Sequence, residues 1–162
     1  MIGTARSAGK LKRAKKLGLD VAIDASRGDW AAQVEAAIGA QHVHAVMDLV
    51  GGTYLEGNLR VLALRGRIVV VGLTAGATAQ FNMGVLLKKR LTIVGTVLRA
   101  RPLEEKIALA RDFSERVVPL FDADRIKPVV DRVFPFAEIR AAHELMESNE
   151  TFGKIVLRWE AL

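Results

Sequence analysis

The stretch Arg67-Ile68-Val69-Val70-Val71-Gly72 decides the fold. Four consecutive apolar, β-branched side chains leave no polar face, which suits a strand covered on both sides, as in a parallel sheet. The neighbouring segments supply the rest of that architecture. Upstream, Thr53 and Glu56 have the spacing of a capping box, and Tyr54, Leu55, Leu59 and Leu62 continue as a helix. Before them, His42 to Val50 reads as a buried strand that ends in Gly51-Gly52. Asp29 caps a helix carrying Trp30, Val34, Ala37 and Ile38 at helical spacing before Gly39. Val21 to Ile23 is a short strand. Ser7 caps a helix running to Leu17, with Gly18 at the left-handed stop, and Met1 to Thr4 ends a further strand.

Downstream, a small-residue loop from Leu73 to Gln80 leads to a helical piece at Val85 to Lys88 and a strand at Leu91 to Leu98. Leu103 to Val118 is the longest predicted helix, with Ile107, Ala110, Phe113 and Val117 on one stripe and Pro119 as its stop. Pro128 to Phe134 reads as a strand, Phe136 to Ser148 as a helix entered through Pro135, and Lys154 to Trp159 as a last strand. Strands alternating with helices over residues 1–98 spell βαβ units, hence an α/β fold with a parallel sheet and right-handed crossovers.

Composition bounds what such a fold can do. The 162 residues are 51% apolar, 26% charged and 6% aromatic, enough to bury a core and unlike a disordered chain. The sequence has no cysteine, which excludes disulfides, thiolate zinc ligands and a cysteine nucleophile within these residues. Its apolar runs are too short to span a bilayer and the first residues lack the apolar stretch of a signal peptide, so a cytoplasmic protein that does not engage membranes is expected. The net charge of +6 is not spread over a face. Arg6, Lys10, Lys12, Arg13, Lys15 and Lys16 stand among the first sixteen residues with no acid, and the remaining 18 cations match the 18 acids. No aromatic residue is interleaved with those six cations, so a base-stacking nucleic-acid surface is not expected.

A dinucleotide fold carries G-x-G-x-x-G between its first strand and first helix, and no such spacing occurs here. Other strings carry a resemblance. Ile2-Gly3-Thr4-Ala5-Arg6-Ser7, Lys10-Leu11, Ala14-Lys15-Lys16-Leu17-Gly18, Asp48-Leu49-Val50-Gly51-Gly52, Arg67 to Gly72, Lys89-Arg90-Leu91-Thr92, Asp131-Arg132-Val133-Phe134-Pro135, Ala142 to Ser148 and Gly153 to Leu157 follow one another in the order of a known family. The chain resembles the C-terminal half of the quinone oxidoreductase (zeta-crystallin-like) branch of the medium-chain dehydrogenase/reductase superfamily.

That resemblance implies an incomplete Rossmann-type parallel sheet lacking its first strand and Gly-rich loop. It further implies a partial NADP-binding domain over residues 1–124 and a segment over residues 125–162 whose strands belong with a catalytic domain not contained here. The first strand is central in the strand order of such folds. Without it, buried backbone groups on both neighbours lose partners at roughly 1–3 kcal/mol each, so low stability is expected of these residues alone. The implied reaction is hydride transfer from NADPH to a quinone or conjugated carbonyl, with these residues inactive by themselves. A zinc-type alcohol dehydrogenase fragment and a non-catalytic NADP- or nucleic-acid-binding module are the alternatives.

The candidate site residues follow the same division between residues and resemblance. NAD-preferring folds place a carboxylate after the second strand, whereas here Arg6, Ser7 and Lys10 offer a guanidinium, a hydroxyl and an ammonium at a helix start, suited to the 2′-phosphate of NADP. A solvated basic helix with an ordinary serine cap is the competing reading, and it holds for Lys12, Arg13, Lys15 and Lys16. Gly51, Gly72 and Leu73 fall at the ends of parallel strands, where such sheets bind ligands and glycine admits close approach, or where plain turns occur. The resemblance assigns these loops to the nicotinamide ribose and ring, Thr96, Val97 and Leu98 to the carboxamide, and Asn149 and Lys154 to the cofactor's surroundings. It also implies a homodimer through the edge strand at 91–98. Where relatives have a tyrosine on the adenine side, this chain has Ala25. His42, His44 and His143 read as surface or packing residues, the expected metal is none, and no proton donor to substrate is identified.

Overall fold

Ile68 and Leu62 are fully buried, and both lie on β4 (Leu62–Val70). In the computed structural model, which describes residues 1–159, β4 is the middle of a three-stranded parallel sheet between β3 (Val43–Asp48) and β5 (Thr92–Gly95). A separate parallel pair joins β1 (Ile2–Ala5) to β2 (Val21–Asp24). The crossover helices are α1 (Ala8–Lys16), α2 (Trp30–Ile38), α3 (Tyr54–Val61) and α4 (Met83–Lys89). These elements form one compact unit, Met1–Ala100. The chain is therefore an α/β protein with parallel sheets, as the alternation of patterns requires.

Two cores hold this unit. Leu59, Leu62 and Ile68 pack with Val46, Leu55, Val70, Phe81, Val85 and Leu91. Ile23, Ala31, Val34 and Val61 form the other, against which both Ile2 of β1 and Val43 of β3 rest. Yet β1 pairs only with β2, and β3 only with β4, so each has a backbone edge outside any ladder among the described residues. Polar contacts fasten the helices. Asp29 caps α2 through the Ala32 amide at 2.9 Å, and Arg60 of α3 reaches both Asp29 and Glu35. The Trp30 and Tyr54 rings stack with centroids 5.1 Å apart. The Lys89 ammonium donates to the carbonyls of Leu59, Arg60 and Leu62 at 2.8–3.0 Å, satisfying the C-terminal end of α3.

The residues from Arg101 onward form a second unit. It contains α5 (Leu103–Arg116), α6 (Val118–Asp122), β6 (Val130–Pro135), a 3₁₀ turn at Phe136–Glu138, α7 (Ile139–Glu147) and β7 (Lys154–Arg158). β6 and β7 pair in parallel, and Phe134 and Ala142 are its buried apolar residues among those described.

Several local expectations are corrected. Thr53 makes no side-chain cap, because Gly51 and Gly52 accept from the amides of Tyr54 and Leu55 and have already begun the turn. Pro119 does not end the helical region: α5 stops at Arg116, and the proline sits in the first turn of α6, where its missing amide costs nothing. The strand expected at 91–98 is only Thr92–Gly95, so Thr96, Val97 and Leu98 follow it as loop. Met47 on β3 is 73% exposed and Val71 is 42% exposed, although both belong to runs that read as buried. An apolar run reports a preference for cover, and the covering layer has to come from elsewhere in the fold.

Candidate functional site

β3 and β4 end side by side, and the loops leaving them are locked together. Asp48, the last residue of β3, is buried, and its Oδ1 accepts from the amides of Val50 at 2.8 Å and Gly51 at 2.9 Å. Its Oδ2 accepts from Asn58 Nδ2 at 3.0 Å. The main-chain carbonyl of the same residue accepts from Val71 and Gly72 at 2.7 and 3.2 Å. The Ala75 amide donates to the Val50 carbonyl at 2.8 Å, completing the link between loop 49–52 and loop 71–76.

Glycine is required at this junction for steric reasons. Gly51 and Gly52 have φ of +65° and +52°, and a Cβ on Gly52 would lie 2.5 Å from the Ala75 carbonyl oxygen. A Cβ on Gly72 would lie 2.6 Å from the Leu49 carbonyl oxygen. Beside this junction opens a depression of about 360 Å³, lined by Val70, Val71, Gly72, Leu73, Gly95, Thr96 and Val97. It lies at the C-terminal ends of β4 and β5, where ligands bind in open parallel sheets. The wall is largely apolar side chain and backbone. Neither Gly51 nor Leu98 is among the lining residues, although a Cβ on Gly51 would lie 2.7 Å from Cδ2 of the lining Leu73.

A second feature lies where β1 enters α1. Ser7 caps the helix, its Oγ accepting from the Lys10 amide at 3.4 Å, and the first turn has no acid. Arg6 and Ser7 are exposed and Lys10 is half-buried. One carboxylate belongs to this neighbourhood that was not expected from the sequence. Asp24 is the register partner of Ala5, immediately before Arg6. It accepts from the Ser26 amide and hydroxyl and from Arg27 Nε at 3.0 Å. The Ser26 hydroxyl first, and its amide next, hold the Asp24 carboxyl below the ordinary aspartate range.

The remaining candidates are distributed. Asn149 (φ +60°) lies in the connection between α7 and β7 in the second unit, and Lys154 is the first residue of β7. His42, His44 and His143 are all exposed, and the described residues include no group of three or more His, Cys, Asp or Glu able to hold a metal. Among the described residues, no helix is long and apolar enough to cross a membrane. Asp48 and Asn58 were not singled out from sequence. The available signal was a carboxylate ending an apolar strand directly before a Gly-Gly pair, since such a group is placed to take the amides of the turn.

Known proteins are similar to this chain in sequence and in fold. The sequence profile of the zinc-binding dehydrogenase family matches residues 17–157. Quinone oxidoreductase-like protein 2 of Bos taurus is 29% identical over 157 residues, covering 97% of this chain and 45% of its own length. Among solved structures, the Escherichia coli quinone oxidoreductase complexed with NADPH is 29% identical, with a TM-score of 0.77 over 96% of this chain and 48% of that one. An NAD-dependent alcohol dehydrogenase is also 29% identical, with a TM-score of 0.72 over 97% of this chain and 43% of that one. The chain thus spans about half the length of the proteins it matches. The collinear motifs, the parallel α/β architecture with its strand-end depression, and the profile match over most of the sequence together place this chain in the zinc-binding dehydrogenase family.

Proposed function

We propose that this chain holds the nicotinamide cofactor of a quinone-oxidoreductase-type enzyme, and that it prefers NADPH to NADH. The observation that carries the preference is the acid-free start of α1, where Arg6, Ser7 and Lys10 surround a capped helix N-terminus. A 2′-phosphate there gains charge-assisted hydrogen bonds and a favourable helix dipole. Loop 49–52, Gly72 with Leu73, and Thr96 to Leu98 hold the nicotinamide end, and Asn149 and Lys154 are assigned to the cofactor's surroundings. The depression suits a nicotinamide ring in its apolar wall, to which Val71, Leu73 and Val97 contribute.

When bound, NADPH supplies the hydride that reduces a quinone or conjugated carbonyl, and the chain contributes binding, orientation and shielding. The exposed edge at Thr92–Gly95, with Ile93 and Val94 on it, is the surface through which a second copy pairs.

Asp24 motivates a second reading. A carboxylate at the end of a strand neighbouring β1 favours the ribose hydroxyls of NAD, although this one is committed to Ser26 and Arg27. Fluorescence titration separates the two. NADPH is expected to bind about tenfold or more tightly than NADH, and Arg6→Ala/Lys10→Ala is expected to remove most of that difference while leaving NADH affinity unchanged. Equal or tighter binding of NADH by the unsubstituted chain would overturn the preference.

A further inference from the structure

We infer that Asp48 is a positioning residue that sets loops 49–52 and 71–76 as a single platform for the cofactor, without itself touching the ligand. This rests on the proposed cofactor reading. The residue bonds both loops at once, by different atoms. Its carboxylate takes the Val50 and Gly51 amides, and its carbonyl takes those of Val71 and Gly72. Its second oxygen is held by Asn58 on α3, so the carboxylate is anchored to a helix as well as to the loops. Asp48 and Asn58 are each 4% exposed, which removes water as a substitute partner. No cation pairs with Asp48 among the described residues, and amide donors alone surround its charge. Such a group is costly to bury unless every donor stays in place, and this makes the arrangement all-or-none.

The close contacts extend that constraint to the ligand-facing backbone. A Cβ on Gly51 would meet the Leu73 side chain and the Gly72 and Gly76 carbonyls, and one on Gly72 would meet the Leu49 carbonyl, so the two loops cross with no room between them. A shift in one loop therefore displaces the other, and with it Gly72 and Leu73 in the wall of the depression. A carboxylate whose only effect is to hold its own turn would leave residues 71 and 72 undisturbed.

That contrast gives the test: amide hydrogen exchange without cofactor, together with NADPH titration, on the unsubstituted chain and on Asp48→Ala. Exchange at Val50 and Gly51 is expected to accelerate about tenfold or more, and acceleration is expected at Val71 and Gly72 too, although their carbonyl acceptor survives the substitution. NADPH affinity is expected to fall about tenfold. In Asp48→Asn, Asn58 turns its amide oxygen toward the new side chain, and both readouts are expected to return to within about threefold of the unsubstituted chain. Acceleration confined to Val50 and Gly51 with unchanged NADPH affinity would overturn the inference. Should Asp48→Ala fail to fold, Asn58→Ala is read instead: a smaller acceleration across both loops supports the inference, and unchanged exchange overturns it. If the unsubstituted chain binds neither NADPH nor NADH, the cofactor reading fails, and the spread of exchange into Val71 and Gly72 still decides whether Asp48 couples the loops.

Discussion

The start of α1 and the paired loops at the ends of β3 and β4 are assigned to opposite ends of one ligand, yet they are built from different atoms. At α1 the working groups are side chains, exposed at Arg6 and Ser7 and half-buried at Lys10, on an ordinary capped helix, and they come from three nearby residues. At the paired loops they are backbone groups whose placement depends on a buried carboxylate, an asparagine from α3 and glycines that admit a close crossing. A side-chain site can lose function and keep its fold. A backbone site cannot easily lose one without the other, because the bonds that shape it also carry stability.

The largest effect on this contrast is expected from Gly52→Ala. The new Cβ meets the Ala75 carbonyl in a backbone conformation that alanine resists, so a loss of about 1–3 kcal/mol is expected in denaturant unfolding, together with weaker NADPH binding. Full stability with normal binding would show that the loops yield independently. Ser7→Ala at the other region is expected to cost about 1 kcal/mol through the lost cap, and to weaken NADPH more than NADH. An equal loss for both cofactors would make Ser7 a cap and nothing more.

The smallest effect comes from acid. The Ser26 hydroxyl holds the carboxyl of Asp24 below its ordinary value of 3.8, and the Ala32 amide, followed by Arg60, does the same for Asp29. A lowered folded-state value means that stabilisation is complete above the unfolded value and disappears as pH falls through the folded one. The melting temperature is therefore expected to stay level from neutrality to about pH 5 and to decline only below the ordinary aspartate value, by little, because these carboxylates are solvent-screened. A steep loss already between about pH 7 and pH 5 would point to a titrating group outside this set.

The features read successfully from sequence were those that local chemistry enforces. Ser7 and Asp29 cap their helices as expected, and Gly18 takes the left-handed conformation after α1. A cap needs only a short polar side chain, three residues of helix and a free amide. Thr53 failed because two glycines with positive φ began the turn first, and Pro119 failed because a proline is as acceptable in a first turn as after a last one. Met47 lies in β3 as its run implies, whereas Val71 falls just past the end of β4, and the exposure of both depends on which layers lie against them.

By itself, then, the sequence determined the alternation of strands and helices, the parallel sheet, the confinement of the charge excess to the first sixteen residues and the acid-free helix start. Each is a property of neighbours along the chain. Only the tertiary structure decided that Asp24 stands beside the residue preceding Arg6, and that Asp48 joins two loops about twenty residues apart in the chain. Those relations are set by strand register and close backbone packing, which bring together residues whose separation along the chain carries no local signal.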